Sequence, residues 1–141
     1  GKDIAVAAVN GPKMTVVSGR TELLEKVVAE VGATNKALTV SHAFHSPLMT
    51  PALVPFQAEA ESAKFSAPVV RFFSTLKGKE VTEEVTVTQY WVDHISNAVR
   101  FTAAMEVLDK EMQPEAYLEI GATPTLLNMA KRFTSRKEVE W

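Results

Sequence analysis

The chain has 141 residues, of which 46% are hydrophobic and 23% charged, and its formal net charge is −2. This balance is typical of one globular domain, and the small charge gives no electrostatic reason to expect nucleic acid or an anionic membrane surface as a partner. The absence of cysteine excludes disulfides, zinc–thiolate sites and a cysteine nucleophile, and no apolar run approaches the ~20 residues of a membrane span.

The N-terminal part predicts a β-hairpin. The apolar runs IAVAAV (4–9) and MTVVSG (14–19) have the composition of strands. Between them, Asn10 and Gly11 are typical turn residues. The two strands are therefore expected to be joined by a turn that contains this pair.

A helix and a third strand are predicted next. TELLEKVVAEVG (21–32) repeats its apolar residues at helical spacing, with Thr21 as the expected N-cap and Gly32 as the expected C′ residue. KALTVS (36–41) then predicts a short strand. The first part of the chain is thus predicted to be β-β-α-β.

The remainder alternates helices and strands, which favours a parallel α/β arrangement. Its first helix is predicted over 48–65, with Pro51 and Pro55 expected near the first turn because a proline deep inside a helix removes a backbone hydrogen bond. The other predicted elements are a strand (69–74), two helices on either side of Asn97, a strand (115–120) and a helix (125–133).

Two of the three histidines lie close together in SHAFHSPLM (41–49). His42 and His45 are three residues apart, but no Asp, Glu or third His is near, whereas a zinc site normally needs three or four protein ligands. They could instead brace the start of the following helix. Alternatively, one of them could be a general base, since a loop that leads into a helix is well placed to face a cleft.

A general base needs a nucleophile, and the sequence offers no obvious one. No G-x-S-x-G elbow occurs; Ser18 in VVSGR lacks the preceding glycine, and Ser46 directly follows His45. No Walker-type or dinucleotide-binding glycine pattern is present either.

Four motifs taken together, AAVNGPKMTVVSG, HAFHSPLM, YWVDHISNAVRF and YLEIGATPTL, occur in an order that resembles the acyltransferase domain of type I polyketide synthases. The chain resembles, more distantly, the malonyl-CoA:acyl-carrier-protein transacylases of fatty acid synthesis. In that family a serine in a GHSxGE elbow attacks an acyl-CoA thioester, a histidine activates the serine, and the acyl group passes to the phosphopantetheine thiol of an acyl carrier protein.

The resemblance implies roles for five residues. His45, the last residue of HAFH, corresponds to the catalytic histidine, and the main-chain carbonyl of His94 corresponds to the group that orients it. His42 and Phe44 belong to a tetrad associated with the choice of extender unit, and HAFH resembles the malonyl-selective type. Asn10 corresponds to an asparagine near the acyl pocket.

Simpler interpretations of three of these side chains stay open. Phe44 could belong to the core, Asn10 could serve only the turn before Gly11, and the imidazole of His94 could lie at a helix end or at the surface. A methyl group in an apolar pocket is worth only ~1–3 kcal/mol, so the HAFH tetrad implies a preference for malonyl units and not a strict filter.

The resemblance also implies an α/β fold. Residues 1–42 would form part of a ferredoxin-like small subdomain, and residues 43–141 the C-terminal part of an α/β-hydrolase-like large subdomain. The family's nucleophile elbow, oxyanion-hole glutamine and carboxylate-binding arginine would precede Gly1. The chain is therefore expected to be a C-terminal fragment that is inactive by itself.

The expected function is that of a cytoplasmic acyltransferase that loads a malonyl-type unit from malonyl-CoA onto an acyl carrier protein. Its expected partners are acyl-CoA, the carrier protein with its phosphopantetheine, and adjacent synthase domains. No metal, bound cofactor, nucleic acid or membrane is expected. Two alternatives are a non-catalytic module that binds a carrier protein or neighbouring synthase domain, and a metal-dependent hydrolase built on the histidine pair.

Overall fold

A computed structural model describes residues 3–136 and 138–141 and shows an α/β chain. No helix within those residues is long and apolar enough to cross a membrane. The elements in chain order are β1 (Ile4–Gly11), β2 (Met14–Gly19), α1 (Thr21–Val31), a 3-10 helix (Pro47–Met49), α2 (Thr50–Ala60), β3 (Phe72–Ser74), β4 (Lys79–Val81), a second 3-10 helix (Glu83–Thr86), α3 (Thr88–Ser96), α4 (Phe101–Met112) and α5 (Thr125–Ala130).

The predicted N-terminal hairpin is confirmed, since β1 and β2 pair antiparallel. Its turn, however, consists of Pro12 and Lys13, whereas Asn10 and Gly11 lie inside β1. The pairing skips Asn10, so this residue forms a bulge in β1. A proline has its φ already fixed for a turn, which explains why the chain reverses one step later than predicted.

The helix predicted next is also confirmed, and it ends at Gly32, which has a left-handed φ of 63°. Its N-cap is Arg20 and not Thr21, which is the first helical residue. The strand predicted over 36–41 is wrong: this segment has no strand structure, and Leu38 and Val40 are 58% and 62% exposed. A strand needs a neighbour for its hydrogen bonds, and none of the described residues supplies one.

In α2, Pro51 lies in the first turn as predicted, but Pro55 lies inside the helix, contrary to prediction. The missing N–H of Pro55 would have donated to the carbonyl of Pro51, so one helical bond is absent at this point. The helix nevertheless continues to Ala60.

The predicted helices on either side of Asn97 are confirmed as α3 and α4. The predicted parallel strands are not: β3 pairs antiparallel with β4, and the segment 115–120 contributes only an isolated bridge between Ala116 and Glu140. The described residues thus contain two separate two-stranded antiparallel sheets. The main buried cluster consists of Leu76, Val81, Val85 and Tyr90, with Trp91 packed against it.

One connection between distant segments positions the site. Val9 in β1 donates to the carbonyl of Val99 at 2.8 Å, and the amide of Val99 donates to Ala7 at 2.8 Å. The Thr102 hydroxyl in α4 adds a bond to the carbonyl of Val9 at 3.1 Å. The hairpin therefore fixes the short connection between α3 and α4.

Candidate active site

The backbone of His45 is held in an unusual conformation by the end of α3. Its φ is 57°, in the left-handed region that few residues other than glycine adopt. The amide of His45 donates to the carbonyl of Ile95 at 3.1 Å, and the preceding turn is closed by a bond from Phe44 N to the carbonyl of His42 at 2.9 Å. Uncommon backbone conformations of this kind concentrate at functional sites.

The ring of His45 is oriented by a main-chain carbonyl. Its Nδ1 lies 3.0 Å from the carbonyl oxygen of Asn97, which is 52 residues away in sequence. Because a carbonyl oxygen can only accept, Nδ1 carries the proton of this bond and Nε2 of the neutral ring keeps its lone pair. No hydrogen bond to Nε2 occurs within residues 3–136 and 138–141, so this nitrogen is available to a substrate or nucleophile.

The expectation that the carbonyl of His94 orients His45 is therefore corrected to the carbonyl of Asn97. His94 lies in the last turn of α3, whereas Asn97 follows the helix with extended φ and ψ values of −92° and 155°. The extended backbone of Asn97 leaves its carbonyl outside the helix, where it reaches His45.

The imidazole of His94 packs among aromatic rings. Its centroid lies 5.0 Å from that of Tyr90 and 6.0 Å from that of Trp91. Burial of the ring is the main cause that lowers the pKa of His94. His94 is thus a half-buried histidine near a helix end that favours its neutral form.

Two further members of the tetrad, His42 and Phe44, lie on the exposed side of the same loop. The rings of His42 and Phe44 meet edge to face at 5.9 Å, and His42 Nδ1 lies 3.0 Å from the hydroxyl of Ser41. Phe44 is 46% exposed, so it does not belong to the core of this chain. Both side chains are therefore exposed close to His45 in sequence.

Asn10 lies in a different cavity. Its bulge in β1 borders an open cavity of about 350 Å³, whose lining includes Met14, Met129, Arg132 and Phe133 and none of the histidines. His42, Phe44 and His45 thus share one loop, whereas Asn10 lies in β1 and borders a cavity that none of them lines.

Ser46 is the N-cap of the 3-10 helix and not a nucleophile. It is fully buried, its hydroxyl donates to the carbonyl of Ala43 at 2.6 Å, and its oxygen accepts from the amide of Leu48 at 3.3 Å. This serine, and neither histidine, caps the helical segment that follows. Ser18 is paired with Ala5 inside the hairpin.

No group of three or more His, Cys, Asp or Glu side chains in the described parts of the chain is arranged to hold a metal ion. The Nδ1 atoms of His42 and His45 have separate hydrogen-bond partners, Ser41 and Asn97. The histidine pair therefore gives the metal-dependent hydrolase hypothesis no structural support.

Sequence reasoning missed Asn97, the partner of His45. It borders an open cavity of about 280 Å³, together with Leu76, Lys77, Asp93, Ala98 and Arg100. The available signal was an asparagine directly after a predicted helix, since asparagine is common at helix ends. That signal indicates a helix end, but it does not indicate which side chain the asparagine faces.

Comparisons with known proteins place this geometry in a family. Residues 1–140 match the family model described as "Acyl transferase domain". The polyketide synthase GfsB of Streptomyces halstedii is 39% identical over 125 residues, which are 86% of this chain and 2% of that protein. The non-reducing polyketide synthase Preu8 of Preussia isomera is 36% identical over 137 residues, which are 92% of this chain and 6% of that protein.

A solved structure agrees with these sequence relatives. The acyltransferase domain from the second module of the salinomycin polyketide synthase is 37% identical and superposes with a TM-score of 0.91, over 99% of this chain and 33% of that one. This chain thus spans about a third of that solved domain and a few percent of the synthases. The family model and these relatives show that the chain belongs to the acyl transferase domain family, as its motifs indicated.

Proposed function

We propose that this chain is the C-terminal part of a polyketide synthase acyltransferase domain that loads a malonyl-type unit from malonyl-CoA onto an acyl carrier protein. The observation that carries the proposal is the bond between His45 Nδ1 and the carbonyl of Asn97. It fixes the tautomer in which Nε2 can accept a proton. A histidine oriented by a main-chain carbonyl can perform the task that an aspartate supports in serine proteases.

The proposed reaction has two half-reactions. In the first, Nε2 of His45 takes the proton of a serine that lies outside these 141 residues, while the serine oxygen attacks the thioester carbonyl. The imidazolium returns that proton to the CoA thiolate as it leaves. In the second, the same nitrogen deprotonates the phosphopantetheine thiol, which attacks the acyl-serine ester, and the serine oxygen recovers the proton.

The position of Phe44 supports a preference for malonyl units. Its ring lies on the exposed side of the loop, directly before the proposed base, where a bulky group leaves little room for an α-methyl. Replacing Phe44 by Ser and His42 by Tyr should move the complete domain toward methylmalonyl-CoA by up to ~10–200-fold. Competition between the two thioesters measures this ratio, and an unchanged ratio would mean that these two residues do not set the pocket.

The finer architecture belongs to the same proposal. The subdomain boundary near residue 42, the acyl-pocket role of Asn10 and the partnership with adjacent synthase domains rest on the resemblance to other acyltransferases. Since the sequence contains no G-x-S-x-G elbow, these 141 residues alone are expected to transfer no acyl group.

The decisive experiment is the replacement of His45 by Ala in the complete acyltransferase domain. Loss of a general base should slow formation of the malonyl-serine adduct by at least ~10²-fold, as measured by intact-protein mass spectrometry. His94→Gln is the matched control, because it changes the other histidine near this loop and should leave acylation close to wild type.

Two results would contradict the proposal in different ways. Normal acylation of the His45→Ala variant would remove His45 as the base. Absence of any adduct on the unmutated complete domain would favour the non-catalytic module that binds a carrier protein or neighbouring domain.

A further inference from the structure

The side chain of Asn97 has a task that its carbonyl does not explain. Any residue at this position would offer a main-chain carbonyl, yet the amide of Asn97 makes a specific contact of its own. Its Nδ2 donates to the carbonyl of Asp93 at 2.9 Å, and its backbone N donates to the same oxygen at 3.0 Å. The two bonds close a clamp between Asn97 and the last turn of α3.

The clamp fixes the direction of the Asn97 peptide. The backbone bond holds the nitrogen end of the residue, and the side-chain bond limits rotation about its Cα. Asn97 therefore leaves the helix in one extended conformation, with its carbonyl 3.0 Å from His45 Nδ1. The carboxylate of Asp93 makes a separate contact, since its Oδ1 accepts from Gln89 at 2.7 Å.

We infer that the side-chain amide of Asn97, by donating to the Asp93 carbonyl, is a positioning group for His45 and selects the tautomer of the histidine. The catalytic importance of this tautomer rests on the proposed function, but the tautomer itself does not. When the side-chain bond of the clamp is removed, the Asn97 carbonyl can turn away even though the backbone bonds of Asn97 and Val99 remain, and Nδ1 then loses the acceptor that keeps its proton there.

The test uses three variants of the complete domain. Asn97→Asp keeps the shape of the side chain but cannot donate at neutral pH, and Asn97→Ala removes the side chain; both retain the main-chain carbonyl. Asn35→Ala is the matched control, because Asn35 also donates from Nδ2 to a nearby carbonyl, that of Ala33 at 3.3 Å, in an exposed segment apart from His45.

The first measurement is the tautomer of His45, read from the nitrogen chemical shifts of histidine labelled with ¹⁵N. The wild type and Asn35→Ala should show a proton on Nδ1. Both Asn97 variants should show the Nε2-protonated form or a mixture, while the melting temperature and circular dichroism stay close to wild type. A histidine that remains fully Nδ1-protonated in both Asn97 variants would overturn the inference.

The second measurement is steady-state acyl transfer. Both Asn97 variants should lose about tenfold in kcat, the effect of losing one well-placed hydrogen bond, with KM for malonyl-CoA close to wild type. A change of tautomer without loss of kcat would uphold the positioning role and count against His45 as the base. A loss of kcat without a change of tautomer would overturn the positioning role and leave the proposed function standing.

Discussion

Residues 72–112 and residues 115–121 follow each other in the chain, and both contain large apolar side chains, but only the first stretch buries some of them. Val81 and Tyr90 are almost fully buried, whereas Leu118 and Ile120 are 86% and 94% exposed. In the first stretch β3 pairs with β4 and helices cover the hairpin. The second has one short bridge to Glu140. The presence of a partner, and not composition, therefore decides which apolar segment becomes part of a core.

The largest expected effect comes from truncating the buried aromatic residue at the centre of the first stretch. Tyr90→Ala removes a ring that contacts Trp91 and His94 and a hydroxyl bonded to Ser74. It should lower the free energy of unfolding by about 3–5 kcal/mol, the range for large buried aromatic residues. Urea unfolding of this 141-residue chain measures this, and Leu118→Ala is the exposed counterpart. Equal losses of stability in Tyr90→Ala and Leu118→Ala would contradict the contrast between the two stretches.

A smaller loss is expected from Ser74→Ala. The fully buried Ser74 hydroxyl pairs with the Tyr90 hydroxyl at 2.6 Å and accepts from the amides of Leu76 and Lys77. Removing it leaves buried groups without a partner, which should cost about 1–3 kcal/mol. The control is Ser62→Ala, whose hydroxyl bonds a carbonyl at an exposed helix end. A loss as large in the control would show that burial does not amplify the effect.

A still smaller effect on the free energy of unfolding is expected from the His94 side chain, and this effect depends on pH. Burial holds its pKa below the ordinary 6.5 in the folded state. The unfolded chain therefore binds a proton more readily, so stability falls as the pH drops through about 6.5 and levels off below the folded pKa. His94→Gln should flatten this decline between about pH 7.5 and about pH 5.5 in urea unfolding.

This decline in stability can be distinguished from the titration of other groups. The lowered pKa values of Glu80 and Glu84 start from 4.5 and so act at lower pH. His42→Gln, which changes an exposed histidine, is the control. A decline that is unchanged in His94→Gln would assign the pH dependence to another group.

The smallest effect on unfolding is expected in the exposed stretch. Replacing Leu118 and Ile120 by Ser together should change the free energy of unfolding of this chain by no more than about 0.5 kcal/mol, since neither side chain is packed. The double substitution should also reduce self-association of the chain, because contiguous exposed apolar surface favours association. Sedimentation velocity of the 141-residue chain measures the association. Unchanged sedimentation would show that the chains do not associate through these two residues.

The sequence predicted the elements whose signals are local. Each of these signals, the spacing of apolar residues or a residue typical of an element's end, lies within one element. They predicted the hairpin of β1 and β2, the helix ending at Gly32 and the two helices around Asn97. The strands at 36–41 and 115–120 could not be judged in this way, because their apolar residues resemble those of a strand whether or not a partner strand is present. β4 was missed because three residues in a polar context show no alternation.

The candidate site was predictable in part. The HAFH motif identified the loop with His42, Phe44 and His45, and the structure places these residues together. The orienting carbonyl was assigned three residues too early, to His94. The error arises because main-chain groups leave no mark in a sequence, and the exact end of a helix decides which carbonyl points outward. The Asn97 carbonyl meets His45 across 52 residues of sequence, beyond the reach of any local pattern.

The amide hydrogen of His45, which donates to the carbonyl of Ile95, can report whether the histidine loop is docked on the end of α3. This amide sits in a loop, outside every helix and strand, where amide hydrogens ordinarily exchange with solvent deuterium almost at once. Here its exchange is slowed for as long as the loop that contains His45 remains docked on the end of α3. The protection of this single backbone hydrogen thus reports the free energy of opening the histidine loop, independently of substrate, nucleophile or catalytic turnover.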